Sequence, residues 1–165
     1  MKIIYVLSAI SGCGKTTYAN KLSELCVRDN VTHKVCSADH FFTDTFGKYT
    51  FDRTKLGLAH QSCKDKCELL CQLAVNLPII DNTSLTYQEI SPYCSIAEKY
   101  GYKIAITRLE SDLTDEELAA RNRHGVPVEA ITRMRNKMEK MESITAKLYE
   151  KFGKILVESP YYKEI

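Results

Sequence analysis

The sequence lacks any apolar run long enough to cross a bilayer, and it contains no internal repeat, low-complexity tract or linker. These absences argue against a membrane protein, a repeat architecture and a multidomain chain. The 165 residues are enough for one domain with a proper core, spanning 1–165. A strong charge of one sign is also missing, because the net charge is +2. This mild basicity is compatible with a phosphate-rich partner but does not identify one.

The seven cysteines are odd in number and scattered, and the chain shows no convincing export signal. We therefore expect reduced thiols without disulfides, in a cytoplasmic or nuclear compartment. Four residues of metal-ligating types lie along one face of a single predicted helix, at His60, Cys63, Cys67 and Cys71. Ligands on one straight helix cannot surround zinc tetrahedrally, so no zinc site is expected and the thiols are predicted to pack on a core face.

The most informative segment joins an apolar run, Ile3–Leu7, to a helical pattern, Thr17–Leu25. Between them lies AISGCGKTT, at Ala9–Thr17. A strand, a glycine loop and then Gly-Lys-Thr are typical of the phosphate-binding loop of nucleoside triphosphatases and kinases. Gly12 and Gly14 allow successive backbone N–H groups to turn toward an anion, and the new helix directs its positive end to the same place.

Within this loop, Lys15 is expected to reach the β and γ phosphates and the Thr16 hydroxyl to ligate Mg²⁺. Ala9 replaces the first glycine of the motif, which is acceptable if its backbone φ is negative. Cys13 lies where an empty phosphate site should favour a thiolate, and the alternative is an inert residue at a variable position of the motif. The residues predicted to bind nucleotide here are Ser11, Gly12, Cys13, Gly14, Lys15, Thr16 and Thr17.

The same residues also resemble a bacterial lipoprotein signal, with Met1-Lys2 as the basic start and Cys13 as the lipidated residue. That apolar stretch would be at the short limit for a signal, and the Gly-Lys-Thr-Thr sequence would be a coincidence. We favour the phosphate-binding loop, because cleavage would remove the strand that the fold needs.

Apolar runs alternate with helical patterns along the whole chain. This alternation predicts the α/β class, with a parallel sheet of about five strands and helices on both faces. The predicted strands are Ile3–Leu7, Lys34–Ser37, Leu77–Asp81, Lys103–Thr107 and Lys154–Val157. The predicted helices are Thr17–Leu25, Lys55–Leu73, Tyr87–Tyr100, Asp115–Arg121 and Val128–Lys151.

Local signals refine three of these helices. Thr114 and Glu117 form the capping-box pattern that begins the fourth helix. Ser91 and Pro92 predict a break in the third helix, with Pro92 as the first residue of a second piece. The long pattern of 128–151 is expected to be interrupted.

An aspartate follows the second predicted strand, at Asp39, and another aspartate ends the third, at Asp81. Ligands of parallel sheets bind at the carboxyl ends of the strands, where the phosphate-binding loop also lies. One carboxylate could hold Mg²⁺ through water and the other could accept a proton from an attacking hydroxyl. The alternative is that both only cap helices or satisfy loop amides.

A short polar segment, Arg121–Gly125, follows the fourth helix. Arginines that move over a γ-phosphate neutralise charge during phosphoryl transfer, and a glycine-containing loop between two helices is a plausible lid. The alternative is a solvated polar turn.

These motifs and several shorter ones extend over nearly the whole chain. They are Gly12–Thr16, Ser37–Asp39, Tyr49–Phe51, Ala59-His60, Asp81–Thr83, Gly101-Tyr102 and Arg121–Pro127. Together they resemble the kinase domain of phage-type polynucleotide 5′-hydroxyl kinases and related P-loop ATP-binding domains of ubiquitin-ligase-binding proteins. The long, irregular RNRHGVP segment is the most specific match. The resemblance implies a P-loop kinase fold with a short helical lid, and ATP and Mg²⁺ as cofactors.

The resemblance also implies roles for individual residues. Asp39 matches the general base that takes the proton of the acceptor hydroxyl. The residues assigned to catalysis are Asp39, Lys15, Arg121 and Arg123, those that contact ATP from the lid are Arg121 and His124, and those assigned to the metal are Thr16 and Asp81. The residues assigned to the acceptor are Asp39, Phe42, Arg53, His60 and Asn82.

The sequence departs from the family pattern at two positions. Phe42 stands where phage-type enzymes carry an arginine that grips substrate phosphate, and His124, beside Arg123, stands where the lid arginine is expected. We therefore expect weak binding of nucleic acid, with the Phe42 ring stacking on a base and the mutation Phe42→Arg lowering the Michaelis constant. The cations between the second strand and the following helix, which include Lys48, Arg53 and Lys55, are expected to face the acceptor backbone.

The function predicted from these features is an ATP- and Mg²⁺-dependent kinase that phosphorylates the 5′-hydroxyl ends of DNA or RNA. No Asp-x-Asp phosphatase motif is present, so a stand-alone kinase domain is expected. The alternatives are a kinase for a nucleoside, sugar or antibiotic hydroxyl, and a non-catalytic ATP-binding module. Asp39 argues against the last, because nucleotide binding alone needs no base at that position.

Overall fold

The computed structural model describes residues 2–161, and its centre is a four-stranded parallel sheet with strand order β2-β3-β1-β4. The strands are β1 (Ile3–Ser8), β2 (His33–Cys36), β3 (Leu77–Ile80) and β4 (Lys103–Arg108). All six residues of β1 are buried, because this strand pairs with a neighbour on each side and both of its faces are covered. The predicted α/β class with a parallel sheet is confirmed.

Within residues 2–161 the chain forms six α-helices, four of which pack on the two faces of the sheet. The six helices are α1 (Lys15–Arg28), α2 (Leu56–Gln72), α3 (Tyr87–Tyr100), α4 (Asp115–Arg121), α5 (Val128–Lys137) and α6 (Met141–Phe152). Alternate side chains of β1 enter two separate cores. Tyr5 and Leu7 pack with α1, whereas Ile4 and Val6 pack with α2, α3 and α6.

The predicted fifth strand, Lys154–Val157, is wrong. The chain continues from α6 into a 3₁₀ turn at Gly153–Ile155, and within residues 153–161 only Leu156 forms a parallel bridge, with Ile104 of β4. The apolar run therefore packs against the edge of the sheet without the repeated backbone pairing that a strand requires.

The predicted break at Pro92 is also wrong, because α3 continues through this residue. Proline removes one backbone hydrogen bond, to the carbonyl of exposed Gln88, while the packing of Ile90, Tyr93 and Cys94 into the core holds both halves of the helix on one axis. The expected interruption of 128–151 is confirmed by the separate α5 and α6. The capping box at the start of α4 is confirmed as well.

The cysteine stripe of α2 faces the core, as predicted. Cys63, Cys67 and Cys71 are buried together with Cys36 of β2, and all seven cysteines of the chain are free thiols. None of the helices within residues 2–161 is long and apolar enough to cross a membrane.

Candidate active site

The loop between β1 and α1 adopts the backbone conformation that its glycines permit. Gly12 and Gly14 have φ values of 89° and 90°, in the left-handed region, and the N–H of Cys13 donates to the carbonyl of Ile10 at 3.2 Å. Helix α1 begins directly afterwards at Lys15. Ala9 is buried and is not among the residues with positive φ, so it meets the condition for replacing glycine. The segment forms a concave backbone turn at a helix N-terminus, which suits a phosphate group.

Gly12 is required for a second reason. A Cβ at this position would lie 2.4 Å from the carbonyl oxygen of Leu118, in helix α4. The loop is therefore packed directly under a helix of the predicted lid. A Cβ at Gly14 would meet nothing within 4 Å. The two glycines thus share a conformation, but only Gly12 is constrained by a neighbouring element.

Lys15 is half-buried and is surrounded by acidic groups. Burial lowers the pKa of its ammonium, while the charges of Asp81, Cys13 and Asp39 act in the opposite direction. A desolvated cation at this position gains more from an anionic ligand than an exposed lysine would.

Thr16 and Asp81 meet at the carboxyl end of β3. The Thr16 hydroxyl donates to Oδ2 of Asp81 at 3.0 Å. Burial raises the pKa of the Asp81 carboxyl, opposed by Lys15 and by the hydrogen bond from Thr16. A hydroxyl and a carboxylate side by side are oxygen ligands of the kind that Mg²⁺ prefers, so these residues fit the expected metal.

Asp39 is fixed by the main chain around it. The Ser37 hydroxyl accepts a hydrogen bond from the Asp39 N–H at 3.2 Å and begins a 3₁₀ turn over Ala38–Phe42. The preceding N–H, of Ala38, donates to Oδ1 of Asn82 at 2.8 Å. The contact with Asn82 joins the end of β2 to the loop after β3, and the Ser37 cap fixes the turn that carries Asp39.

Two side chains contact the Asp39 carboxylate within residues 2–161. The Tyr49 hydroxyl donates to Oδ1 at 3.1 Å, and Nε2 of His124 lies 3.4 Å from Oδ2. The Asp39 side chain nevertheless keeps 45% of its surface exposed. It is therefore held in position and still reachable by an acceptor.

The lid consists of α4, α5 and the turn between them. Asn122 stabilises the turn, because its side chain bonds the carbonyls of Ala119 and Val126 and the N–H of Val126. Arg121 and Arg123 are both exposed. Arg121 is near enough to the phosphate-binding loop for its charge to act on Cys13, while His124 reaches Asp39.

The thiolate expected at Cys13 is contradicted by its surroundings. Burial raises the pKa of this thiol, and the opposing charges of Lys15, Arg135 and Arg121 do not offset it. Packing under the lid desolvates the Cys13 thiol, and this effect outweighs the positive end of α1.

The residues that the sequence predicts to bind the acceptor do not all line one site. Phe42 is only 7% exposed and packs with Ala38, Ala59 and Tyr49, so its ring has no free face for a base. Asn82 is also buried and uses its amide on Ala38, Cys63 and Tyr93. Its contacts position the Asp39 segment and leave the side chain little capacity for substrate.

His60 and Arg53 lie in different surroundings. His60 is half-buried on α2 and lines a small cavity of about 190 Å³ beside Ser84 and Tyr93, where burial lowers its pKa. Arg53 is exposed, in a 3₁₀ turn that precedes α2. Their roles toward an acceptor stay predictions.

Two residues near the site were missed by the sequence argument. Tyr49 lies within Tyr49–Phe51, a segment that matches the family pattern but to which the sequence assigns no role. Arg135 on α5 acts on Cys13 electrostatically and is anchored to Asp115 at 2.7 Å. The periodicity of apolar residues predicts neither the contact of Tyr49 with Asp39 nor the effect of Arg135 on Cys13. Both form only when separate segments of the chain fold together.

Comparison with known proteins agrees with this geometry. The family described as an AAA domain matches residues 7–141. Human (Homo sapiens) NEDD4-binding protein 2 is 32% identical over 144 residues, covering 86% of this chain and 8% of that relative's length. This chain therefore corresponds to a small part of that protein.

Solved structures show the same fold at low sequence identity. A chain in the structure of the Pnkp1/Rnl/Hen1 RNA repair complex aligns with a TM-score of 0.62 and 19% identity, over 88% of this chain and 46% of that one. Kti12 of Chaetomium thermophilum, in complex with ADP-AlF3, aligns with a TM-score of 0.63 and 12% identity, over 93% and 99%. Together with the loop geometry, these matches establish a P-loop, kinase-like fold, and the chain belongs to the AAA-domain family that its residues 7–141 match.

Proposed function

We propose that the protein is an ATP- and Mg²⁺-dependent phosphotransferase whose acceptor is the 5′-hydroxyl of a DNA or RNA end. The observation that carries this proposal is the position of Asp39, a half-exposed carboxylate held beside a phosphate-binding loop and under a lid. A module that only bound nucleotide would not need a carboxylate fixed at this point.

The nucleotide phosphates would lie in the concave turn of Ser11–Thr17. The N–H groups of the loop and the N-terminus of α1 supply partial positive charge, and Lys15 supplies a full one. Arg121 and Arg123 are free to turn toward the γ-phosphate from the lid. The ADP-AlF3 bound by Kti12, which has the same fold, supports a nucleotide at this site.

Thr16 and Asp81 would hold the metal, Thr16 through its hydroxyl and Asp81 directly or through water. When bound, Mg²⁺ neutralises charge on the β and γ phosphates. Metal binding would replace the hydrogen bond between these two side chains and would favour the ionised form of Asp81, against the burial that raises its pKa.

Asp39 would act on the acceptor. As the acceptor oxygen bonds to the γ-phosphorus, the bond from phosphorus to the β–γ bridging oxygen breaks and ADP leaves. The proton of the acceptor hydroxyl passes to the Asp39 carboxylate, so charge and atoms balance. Lys15 and the lid arginines stabilise the negative charge that spreads over the transferring group.

Aromatic rings beside Asp39 support a polynucleotide acceptor rather than a small molecule. Phe41 and Phe51 pack on the buried Phe42 ring at 5.4 and 5.1 Å, and both keep exposed surface. Exposed cations on the same segment, Lys48 and Arg53, can face phosphates. The match to a chain of an RNA repair complex is consistent with this acceptor class.

The test is transfer of radiolabelled phosphate from ATP to a panel of 5′-hydroxyl oligonucleotides, nucleosides, sugars and aminoglycosides. Wild-type protein should label oligonucleotides. The Asp39→Asn mutation should reduce the rate by a factor on the order of 10²–10⁴ and leave ATP affinity almost unchanged. Asp81→Asn should instead raise the Mg²⁺ concentration needed for half-maximal rate. Asp65→Asn, an exposed carboxylate on α2, is the control.

Three other outcomes of this assay would each change the proposed function or the proposed residue roles. Labelling of nucleosides or sugars with inert oligonucleotides would make the protein a small-molecule kinase with the same roles for Lys15 and Asp39. ATP binding without transfer to any acceptor would make it a binding module. A metal effect at Asp39 and a rate effect at Asp81 would mean that the two roles are exchanged.

A further inference from the structure

We propose that Tyr49 is a positioning residue for Asp39 and that His124 of the lid holds Tyr49 in its working orientation. The proposal rests on the proposed function, in which Asp39 accepts the proton of the acceptor. It assigns a role to a tyrosine and a lid histidine that lie outside the phosphate-binding loop, and it connects the position of the lid to the geometry of the base.

Each carboxylate oxygen of Asp39 has one side-chain partner within residues 2–161. Tyr49 donates to Oδ1 at 3.1 Å, and His124 Nε2 lies 3.4 Å from Oδ2. Rotation of the carboxyl group would break both contacts, so together they fix its plane. A carboxylate oxygen has two lone pairs, which leaves one on each oxygen for the acceptor proton.

Tyr49 is itself placed by a tight local structure. Residues 43–49 fold back on themselves through an antiparallel bridge between Thr43 and Tyr49. Asp44 stabilises the turn by accepting the N–H groups of Phe46 and Lys48, both at 2.9 Å. The Tyr49 ring then packs edge-on against Phe42 at 6.2 Å. The hydroxyl is therefore presented to Asp39 by a rigid scaffold.

The remaining face of Tyr49 is covered from the lid. The His124 ring stacks on it with centroids 4.3 Å apart and planes tilted by 35°. Burial raises the pKa of the Tyr49 hydroxyl, and the charge of Asp39 raises it further, so the hydroxyl stays a donor near neutral pH. Because His124 belongs to the lid, the arrangement around Asp39 is complete only when the lid lies over the site.

The geometry predicts a loss in turnover and not in binding. Tyr49→Phe removes only the hydroxyl, so kcat should fall about 10- to 100-fold, as expected for one hydrogen bond to a charged group. The Michaelis constants for ATP and for the acceptor should stay within about twofold. Tyr100→Phe is the matched control, since Tyr100 also donates its hydroxyl to a carboxylate, Glu68 at 2.8 Å, on the outer surface of α2 and α3. Its kinetics should equal those of wild type.

A double-mutant cycle distinguishes positioning from a general structural effect. In the Asp39→Asn background, Tyr49→Phe should cause no further loss, because the residue acts through Asp39. His124→Ala should lower kcat, and its combination with Tyr49→Phe should cost less than the product of the single effects. Multiplicative losses in the Asp39→Asn background, or full activity of Tyr49→Phe, would overturn the proposal.

A second measurement does not depend on turnover. In protein with ¹³Cζ-labelled tyrosine, the Tyr49 resonance, assigned with Tyr49→Phe, should move when Asp39 becomes Asn and stay in place with Asp65→Asn. A resonance that does not move would overturn the contact and the positioning role with it. A resonance that moves in a protein that phosphorylates no acceptor would overturn the proposed function but would leave the contact between Tyr49 and Asp39 in place.

Discussion

The nucleotide side and the acceptor side of the candidate site are constructed in different ways. The nucleotide side is one continuous segment, Ala9–Thr17, whose shape follows from two glycines and a helix N-terminus. The acceptor side brings Asp39 together with Asn82, Tyr49 and His124, which come from three other loops. Consecutive residues leave a motif in the sequence, whereas contacts between distant side chains do not.

The two sides also differ in their exposure to water. Burial lowers the pKa of Lys15 and raises that of Asp81, and the charge of each residue opposes the shift of the other. Asp39 keeps much of its surface in water. A desolvated nucleotide side suits one invariant ligand, the triphosphate, and a more open acceptor side suits a large acceptor that enters from solvent.

The largest expected effect tests the nucleotide side. Lys15→Ala should abolish measurable transfer and weaken ATP binding by a factor on the order of 10² or more, because the backbone turn alone cannot balance the triphosphate charge. Fluorescent-nucleotide titration and the transfer assay measure both effects. Lys21→Ala, an exposed lysine on α1, is the control. Wild-type ATP affinity in Lys15→Ala would show that this loop is not the nucleotide site.

The second prediction tests the acceptor side and reverses an expectation from the sequence. The sequence predicts that Phe42→Arg improves acceptor binding, but Phe42 is buried against Ala38 and Ala59. An arginine there would bury an unpaired charge and cost about 3 kcal/mol or more. The melting temperature should fall by about 6–12 °C.

Phe46→Arg is the control for this substitution, because Phe46 is 95% exposed on the same segment. Its melting temperature should stay close to that of wild type. A stable Phe42→Arg protein with a lower Michaelis constant for oligonucleotides would restore the interpretation made from the sequence and would mean that this segment rearranges readily.

The lid touches the nucleotide loop at Gly12 and not at Gly14. Gly12 and Gly14 share a positive φ, so alanine at either should cost about 1–2 kcal/mol of backbone strain. Gly12→Ala should cost about 1–3 kcal/mol more, because its Cβ would collide with the Leu118 carbonyl. Urea unfolding of the two variants measures the difference. Equal free energies of unfolding would show that α4 moves away at little cost.

Much of the fold could be predicted because it depends on local pattern. The alternation of apolar runs with helices identified β1 to β4 and the parallel class, and the capping box located α4. The strand predicted at Lys154–Val157 is wrong, because the apolar run alone does not show whether its backbone pairs with the edge of the sheet. The location of Asp39 and Asp81 in the site could be predicted, because ligands of a parallel sheet bind at the carboxyl ends of its strands. Tyr49, and the burial of Phe42, depend on how residues 38–59 fold over Asp39, which periodicity does not describe.

The smallest expected effect concerns Cys13, the thiol at the junction of the nucleotide loop and the lid. It is the one cysteine of the seven that is not buried, so iodoacetamide should label it first in the native protein. Burial raises its pKa, so the thiolate fraction at neutral pH should be smaller than that of a free thiol and labelling should be slower than that of glutathione. The rate should rise with pH through and above the ordinary thiol range. Lys15→Ala should slow labelling further, because Lys15 favours the thiolate. Peptide mass spectrometry after timed labelling measures these rates, and labelling of Cys13 faster than glutathione at pH 7 would show that the lid leaves the loop more hydrated than its packing indicates.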